Sequence, residues 1–82
     1  MREVFLLKDL LMYLTKAIVD IPDEVTISEV EGEKAVIYEI KVAESDKGKV
    51  IGKHGRIINA IRTIVRAAGV KDGKKVQIEL LE

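Results

Sequence analysis

Between Val4 and Val19 the apolar residues Leu7, Leu10, Leu11, Leu14, Ala17 and Ile18 recur three and four positions apart, while Lys8, Asp9, Thr15 and Lys16 fall on the opposite side. That period is one buried stripe of an α-helix. Pro22 closes it, because a proline disfavours helical backbone at the residue before it. Phe5, Leu6, Met12 and Tyr13 lie off the stripe. A small core has limited room for them, so they either widen the core contact or form a surface for a partner.

The period then changes. Val25 to Val30 alternates, with Val25 and Ile27 on one side and Thr26 and Ser28 on the other. Ala35 to Val42 alternates more clearly, Val36, Tyr38, Ile40 and Val42 facing a core while Glu39 and Lys41 face out. Glu31-Gly32-Glu33-Lys34 between them reads as a turn, so the two runs predict a hairpin. A short helix is expected from about Asp46 to Ile51, capped by Ser45 or Glu44 and stopped at Gly52. A longer one follows from Arg56 to Ala68, with Ile57, Ile58, Ile61, Ile64, Val65 and Ala68 inward and Gly69 as its end. Arg56, Asn59, Arg62 and Arg66 project toward its polar side. After a turn at Asp72-Gly73, Val76, Ile78 and Leu80 alternate as a last strand. The order is α-β-β-α-α-β, and the link between the second and third strands is long enough for a crossover. This predicts a two-layer α+β domain: a three-stranded mixed sheet with three helices on one face.

The chain has 82 residues, so a single domain over residues 1–82 is expected; two cores would leave neither enough apolar area. The absence of cysteine excludes disulfides, thiol catalysis and cysteine-based metal sites, and fits a reducing compartment. No run of about 18 uncharged apolar residues exists to span a membrane. Val4–Leu14, broken by Lys8 and Asp9 and followed by no small-residue cleavage site, does not read as a secretion signal. A cytoplasmic location is expected. The net charge of zero conceals a division: Lys47 to Lys75 carries nine cations against Asp72 alone, and the rest carries five cations against thirteen acids. A local field of this kind can hold a polyanion although the whole molecule is neutral.

Within the basic region, Val50-Ile51-Gly52-Lys53-His54-Gly55-Arg56-Ile57-Ile58 places two glycines around two polar residues, between two helices. Glycine tolerates the left-handed backbone at a helix end and lets another backbone come close. The helix that follows offers free N–H groups and the positive end of its dipole to a phosphate. Lys53, His54 and Arg56 add donors at the same place. Nucleotide hydrolysis is rejected: Gly48 and Gly52 are separated by three residues, Lys53 is followed by histidine, and the segment before is helical, so a phosphate-binding G-x-x-x-x-G-K-[ST] loop is absent. The dinucleotide spacing G-x-G-x-x-G is absent too.

With Ile-Gly-x-x-Gly-x-x-Ile, a basic tip and these flanking elements, the chain resembles a type II KH domain, whose GXXG loop clamps about four backbone nucleotides. Ala17-Ile18-Val19-Asp20, Pro22-Asp23-Glu24-Val25, Gly48 to Lys53, Gly55-Arg56 and Ala60-Ile61-Arg62 are similar to the small bacterial single-KH RNA-binding proteins of the KhpA type, over about Leu7 to Leu81. His54 replaces a glutamine common there, and Met1–Leu6 reads as a short N-terminal extension.

The resemblance implies a non-enzymatic protein that holds single-stranded RNA between the GXXG side and the sheet edge. Gly52 and Gly55 admit the backbone, Lys53 and Arg56 meet phosphates, and His54 donates or stacks. Val50, Ile51, Ile57 and Ile58 offer an apolar platform, and Lys49 and Asn59 complete the RNA-binding set. Single-stranded DNA also fits, since a phosphate clamp does not read the 2′-OH. The resemblance further implies a homodimer or a Jag-type KH partner, and a role as an RNA chaperone in post-transcriptional control. The alternative is an assembly module whose KH fold serves protein contacts.

Aromatic stacking is largely unavailable, because Phe5, Tyr13 and Tyr38 all lie outside the loop. With His54 the only histidine, neither a metal site nor a Ser-His-Asp triad is expected, and no cofactor is implied. Lys71, Lys74 and Lys75 read as solvated surface rather than as part of the basic track.

Overall fold

The computed structural model describes residues 2–69 and 73–81, with side chains from Leu7 onward. The expected surplus at Phe5 and Leu6 lies outside the described side chains, and of the turn expected at Asp72-Gly73 only Gly73, with φ 70°, is among the described residues. Helix α1 runs Arg2–Ile18, strand β1 Thr26–Glu31, β2 Ala35–Lys41, helix α2 Lys47–Ile51, α3 Arg56–Gly69 and strand β3 Lys75–Leu80. The order is the one the hydrophobic pattern predicts.

The sheet is mixed. β2 is its centre, antiparallel to β1 with Ile27 opposite Ile40, and parallel to β3 with Val36 opposite Val76 and Tyr38 opposite Ile78. These registers put every second residue on the helical side, where Ile27, Val36, Tyr38, Ile40, Val76 and Ile78 are buried. Leu7 and Leu11 of α1, Val50 of α2 and Ile58, Ile61 and Val65 of α3 close over them as the second layer. The helices are held by that shared core rather than by their own propensity, as is usual at these lengths.

Four expectations change in detail. Thr15, placed on the polar side by its chemistry, is fully buried on the Leu7–Leu11 line. Its hydroxyl donates to the Leu11 carbonyl at 2.8 Å, so the polar atom enters the core already paired. Ala17, expected inward, is exposed. In α3 the buried line is Ile58, Ile61 and Val65, with Ala68 half-buried, while Ile57 and Ile64 stand 37% and 48% exposed. Each precedes a buried residue by one position, a rotation of about 100° around the helix. Lastly, α2 has no side-chain cap from Ser45 or Glu44; a 3₁₀ turn, Glu44–Asp46, leads into it.

Gly69 ends α3 as expected, and the fold gives it a second duty. A Cβ there would come within 2.6 Å of Val76 Cγ2, so the hydrogen at this position lets α3 settle close against β3. Pro22 lies beyond the end of α1 and opens a 3₁₀ turn, Pro22–Glu24, that leads into β1. No helix among the described residues is long and apolar enough to cross a membrane.

Candidate nucleic-acid interface

Between α2 and α3, Gly52 leads into a single 3₁₀ turn, Lys53–Gly55. Gly52 (φ 76°), His54 (φ 57°) and Gly55 (φ 74°) all have left-handed backbone. Gly52 is doubly constrained, because a Cβ would lie 2.6 Å from Ile57 Cγ1 and 2.9 Å from the Ile57 amide nitrogen. His54 adopts without a glycine's freedom a conformation that costs other residues of order 1 kcal/mol. The surrounding hydrogen bonds enforce it: the Gly52 amide donates to the Gly48 carbonyl at 2.8 Å and the Gly55 amide to the Gly52 carbonyl at 3.0 Å.

Those bonds also sort the donors. The Arg56 amide donates to the Lys53 carbonyl, so of the free N–H groups expected at the start of α3 the first is already taken, as are the Gly52 and Gly55 amides. The Lys53 and His54 amides are the loop amides outside these turns. Lys53, His54 and Arg56 have exposed side chains, and among the described residues no acid forms an ion pair with them. The loop therefore turns its cations outward.

The flanking candidates divide. Ile51 is 42% exposed beside the loop, and Asn59 is exposed one turn into α3. Val50 is corrected: it is fully buried, so it supports the loop from beneath and cannot touch a ligand. Ile58 is buried as well and leaves the apolar platform to Ile51 and Ile57. Lys49 is exposed, with its ammonium 3.2 Å from Asp20 Oδ2.

One feature was missed in the sequence. Asp46 is fully buried, and its carboxylate accepts the backbone N–H groups of Asp20 and Ile21, each at 3.0 Å. It ties the exit of α1 to the start of α2 and so fixes the base of the loop. The groove that the resemblance implies between the GXXG side and the sheet edge has its counterpart in an open groove of about 780 Å³ that starts at Asn59 and runs along the free edge of β3. Arg62 and Arg66 span it from α3. Arg62 Nε and Nη2 donate to the Ile78 carbonyl at 3.2 and 3.1 Å, its Nη1 donates to Asn59 Oδ1 at 3.1 Å, and Arg66 Nε donates to the Val76 carbonyl at 3.2 Å. Lys75 is exposed at the far end, and Lys74 pairs with Glu31 of β1. Arg62, Arg66, Lys74 and Lys75 thus face one acid, Glu79, among the groove's lining residues. Lys71 lies outside the described residues. Also among the described residues, no three His, Asp or Glu side chains come together in a way that could hold a metal ion.

Both the sequence and the fold have counterparts among known proteins. Residues 8–80 match the KH domain of KhpA and KhpB. The RNA-binding protein KhpA of Clostridium acetobutylicum is 55% identical over 75 residues, covering 92% of this chain and all of the relative. The protein of the same name from Aquifex aeolicus is 50% identical over 76 residues, covering 93% and 96%. Among solved structures, Aquifex aeolicus Era bound to GDP and aluminium fluoride matches with a TM-score of 0.68 at 21% identity, and Era in complex with a 16S ribosomal RNA segment with 0.69 at 21%. Each covers 92% of this chain and 29% of the longer one, and at this identity they speak for the fold alone. The expected resemblance thus holds over nearly the whole length, and the chain belongs to the KH-domain family of KhpA and KhpB.

Proposed function

We propose that this chain is a non-enzymatic, cytoplasmic protein that binds single-stranded RNA through the Gly52–Gly55 loop and the adjoining groove. The observation that carries this reading is the loop itself. Its left-handed backbone presents Lys53, His54 and Arg56 to solvent with no acid of the described residues pairing with them. Cations so placed suit a phosphate backbone, and the relatives' names as RNA-binding proteins support the ligand. The clamp residues are Gly52, Lys53, His54, Gly55 and Arg56, with Lys49, Ile51 and Asn59 at its margins. In this role Lys49 exchanges Asp20 for a phosphate.

The decisive experiment replaces both tip residues, Lys53→Asp with His54→Asp, and titrates a labelled single-stranded RNA at two salt concentrations. Affinity should fall at least tenfold and the salt dependence should flatten, while circular dichroism stays that of the folded protein. Unchanged affinity and slope in the folded variant would sink the clamp.

One loop holds few nucleotides, so useful affinity calls for two loops on one RNA. A second copy of the chain fits the outer face of α3, where Ile57, Ala60, Ile64 and Ala67 are all exposed at the three- and four-residue spacing of an apolar seam. Acting as such a pair, or with a KH-containing partner, the protein would serve as an RNA chaperone in post-transcriptional control. The same seam favours the second reading, an assembly module, if RNA binding proves absent.

A further inference from the structure

The outer edge of β3 carries the backbone groups of Val76 and Ile78. In a strand the N–H and C=O of one residue point to the same side, and the sides alternate along the chain. Lys75 and Leu81 direct their amides to the Lys34 and Ile40 carbonyls of the neighbouring chain segment, at 3.0 and 2.8 Å. Val76 and Ile78 accordingly turn both of their groups toward the groove, where Arg66 and Arg62 take the two carbonyls.

A bare strand edge would offer alternating donors and acceptors. This one is converted: the Val76 and Ile78 carbonyls are covered by guanidinium groups, the backbone amides and cationic N–H groups remain, and Gln77 and Glu79 supply the side-chain acceptors of the lining. Asn59 holds the arrangement, its side-chain oxygen bonded to the third nitrogen of Arg62. Bases differ in the matching property. On the edge that faces the major groove in a duplex, uracil presents O4, and guanine presents O6 and N7, all acceptors. Cytosine and adenine present an exocyclic amino group, which needs an acceptor in return. We infer that the groove selects keto bases, uracil and guanine, over amino bases, because Arg62 and Arg66 cover the backbone acceptors of Val76 and Ile78.

This inference rests on the clamp reading, and the two can fail separately. Uracil and cytosine have nearly the same shape and differ at O4 and N4, so labelled U10 and C10 RNA isolate the effect. The full chain should bind U10 about tenfold more tightly than C10, on the scale of a single base-edge hydrogen bond. Arg62→Met removes the guanidinium, keeps an apolar stem over the groove and uncovers the Ile78 carbonyl. It should bring the U10/C10 ratio to within twofold of one, and Arg62→Lys, which lacks the fork, should lower it as well. Equal binding of U10 and C10 by the unmodified chain, abolished by Lys53→Asp with His54→Asp, overturns the base selection and leaves the clamp standing. A strong U10 preference that persists in a folded Arg62→Met also overturns it. Failure to bind either oligonucleotide overturns both.

Discussion

Gly52 concentrates the demands on the loop in one hydrogen atom, since a methyl group there would meet Ile57 within 3 Å on left-handed backbone. Gly52→Ala should cost about 2–3 kcal/mol in urea denaturation. Gly48→Ala makes the internal comparison: a Cβ there has no neighbour within 4 Å, and the exchange should be neutral or stabilising by up to about 1 kcal/mol. Asp46 is the other residue on which the site depends. Asp46→Ala leaves two backbone donors without their acceptor and should cost about 3 kcal/mol, with a matching fall in thermal midpoint. The two residues were not equally legible. Gly52 announces itself by its spacing to Gly55 beside basic residues. Asp46 stands where an acid ordinarily caps a helix, and its true partners lie some 25 positions earlier, beyond any local pattern. Val50 misled for a related reason: an aliphatic residue between lysine and the loop suits a base platform or a core equally well.

At the level of elements, the strands were read closely because alternation leaves one choice of face, and Val36, Tyr38, Ile40 and Val42 are all buried as that choice requires. Helix α3 has two overlapping apolar lines, Ile57–Ile61–Ile64 and Ile58–Ile61–Val65, and periodicity cannot rank them. Contact with β3 does, through Gly69 and the reach of Arg62 and Arg66 to the strand edge. The consequence is measurable in a pair of substitutions. Ile61→Glu buries a charge and should unfold the domain. Ile64→Glu should leave the stability of the isolated chain within about 0.5 kcal/mol while lowering the sedimentation coefficient of the paired species to that of a single chain. A dimer unaffected by Ile64→Glu would place the contact on another face. Thr15 belongs to this scale as well: its polarity argued for solvent, and only the helix's own Leu11 carbonyl made the core acceptable.

For the whole molecule, the division of charge along the chain is in part a division in space, crossed where Lys74 of the groove meets Glu31 of β1. The loop and the β3 groove gather Lys53, Arg56, Arg62 and Arg66, whereas β1 and its hairpin carry Glu29, Glu31 and Glu33. With about three phosphates held on a single strand, log K should fall with log salt at a slope near −2, read from titrations between 50 and 200 mM. A slope near zero would mean that charge does not drive the association. The topology was legible because the link from β2 to β3 is too long for a hairpin. The groove was expected only from the family resemblance, since neither α3 nor β3 alone shows that their facing residues leave an open channel.

The parallel pairing of β2 with β3 has one more consequence, in time rather than space. Val36 waits for Val76, about forty positions later, before the central strand gains its second neighbour. A nascent chain synthesised only as far as Gly73 already has its glycine loop and most of its cations, but no wall for the channel behind them. Long-range closure of this kind is slow compared with local helix formation. On the proposed reading, newly made chains should therefore become competent to hold RNA only as the final strand docks.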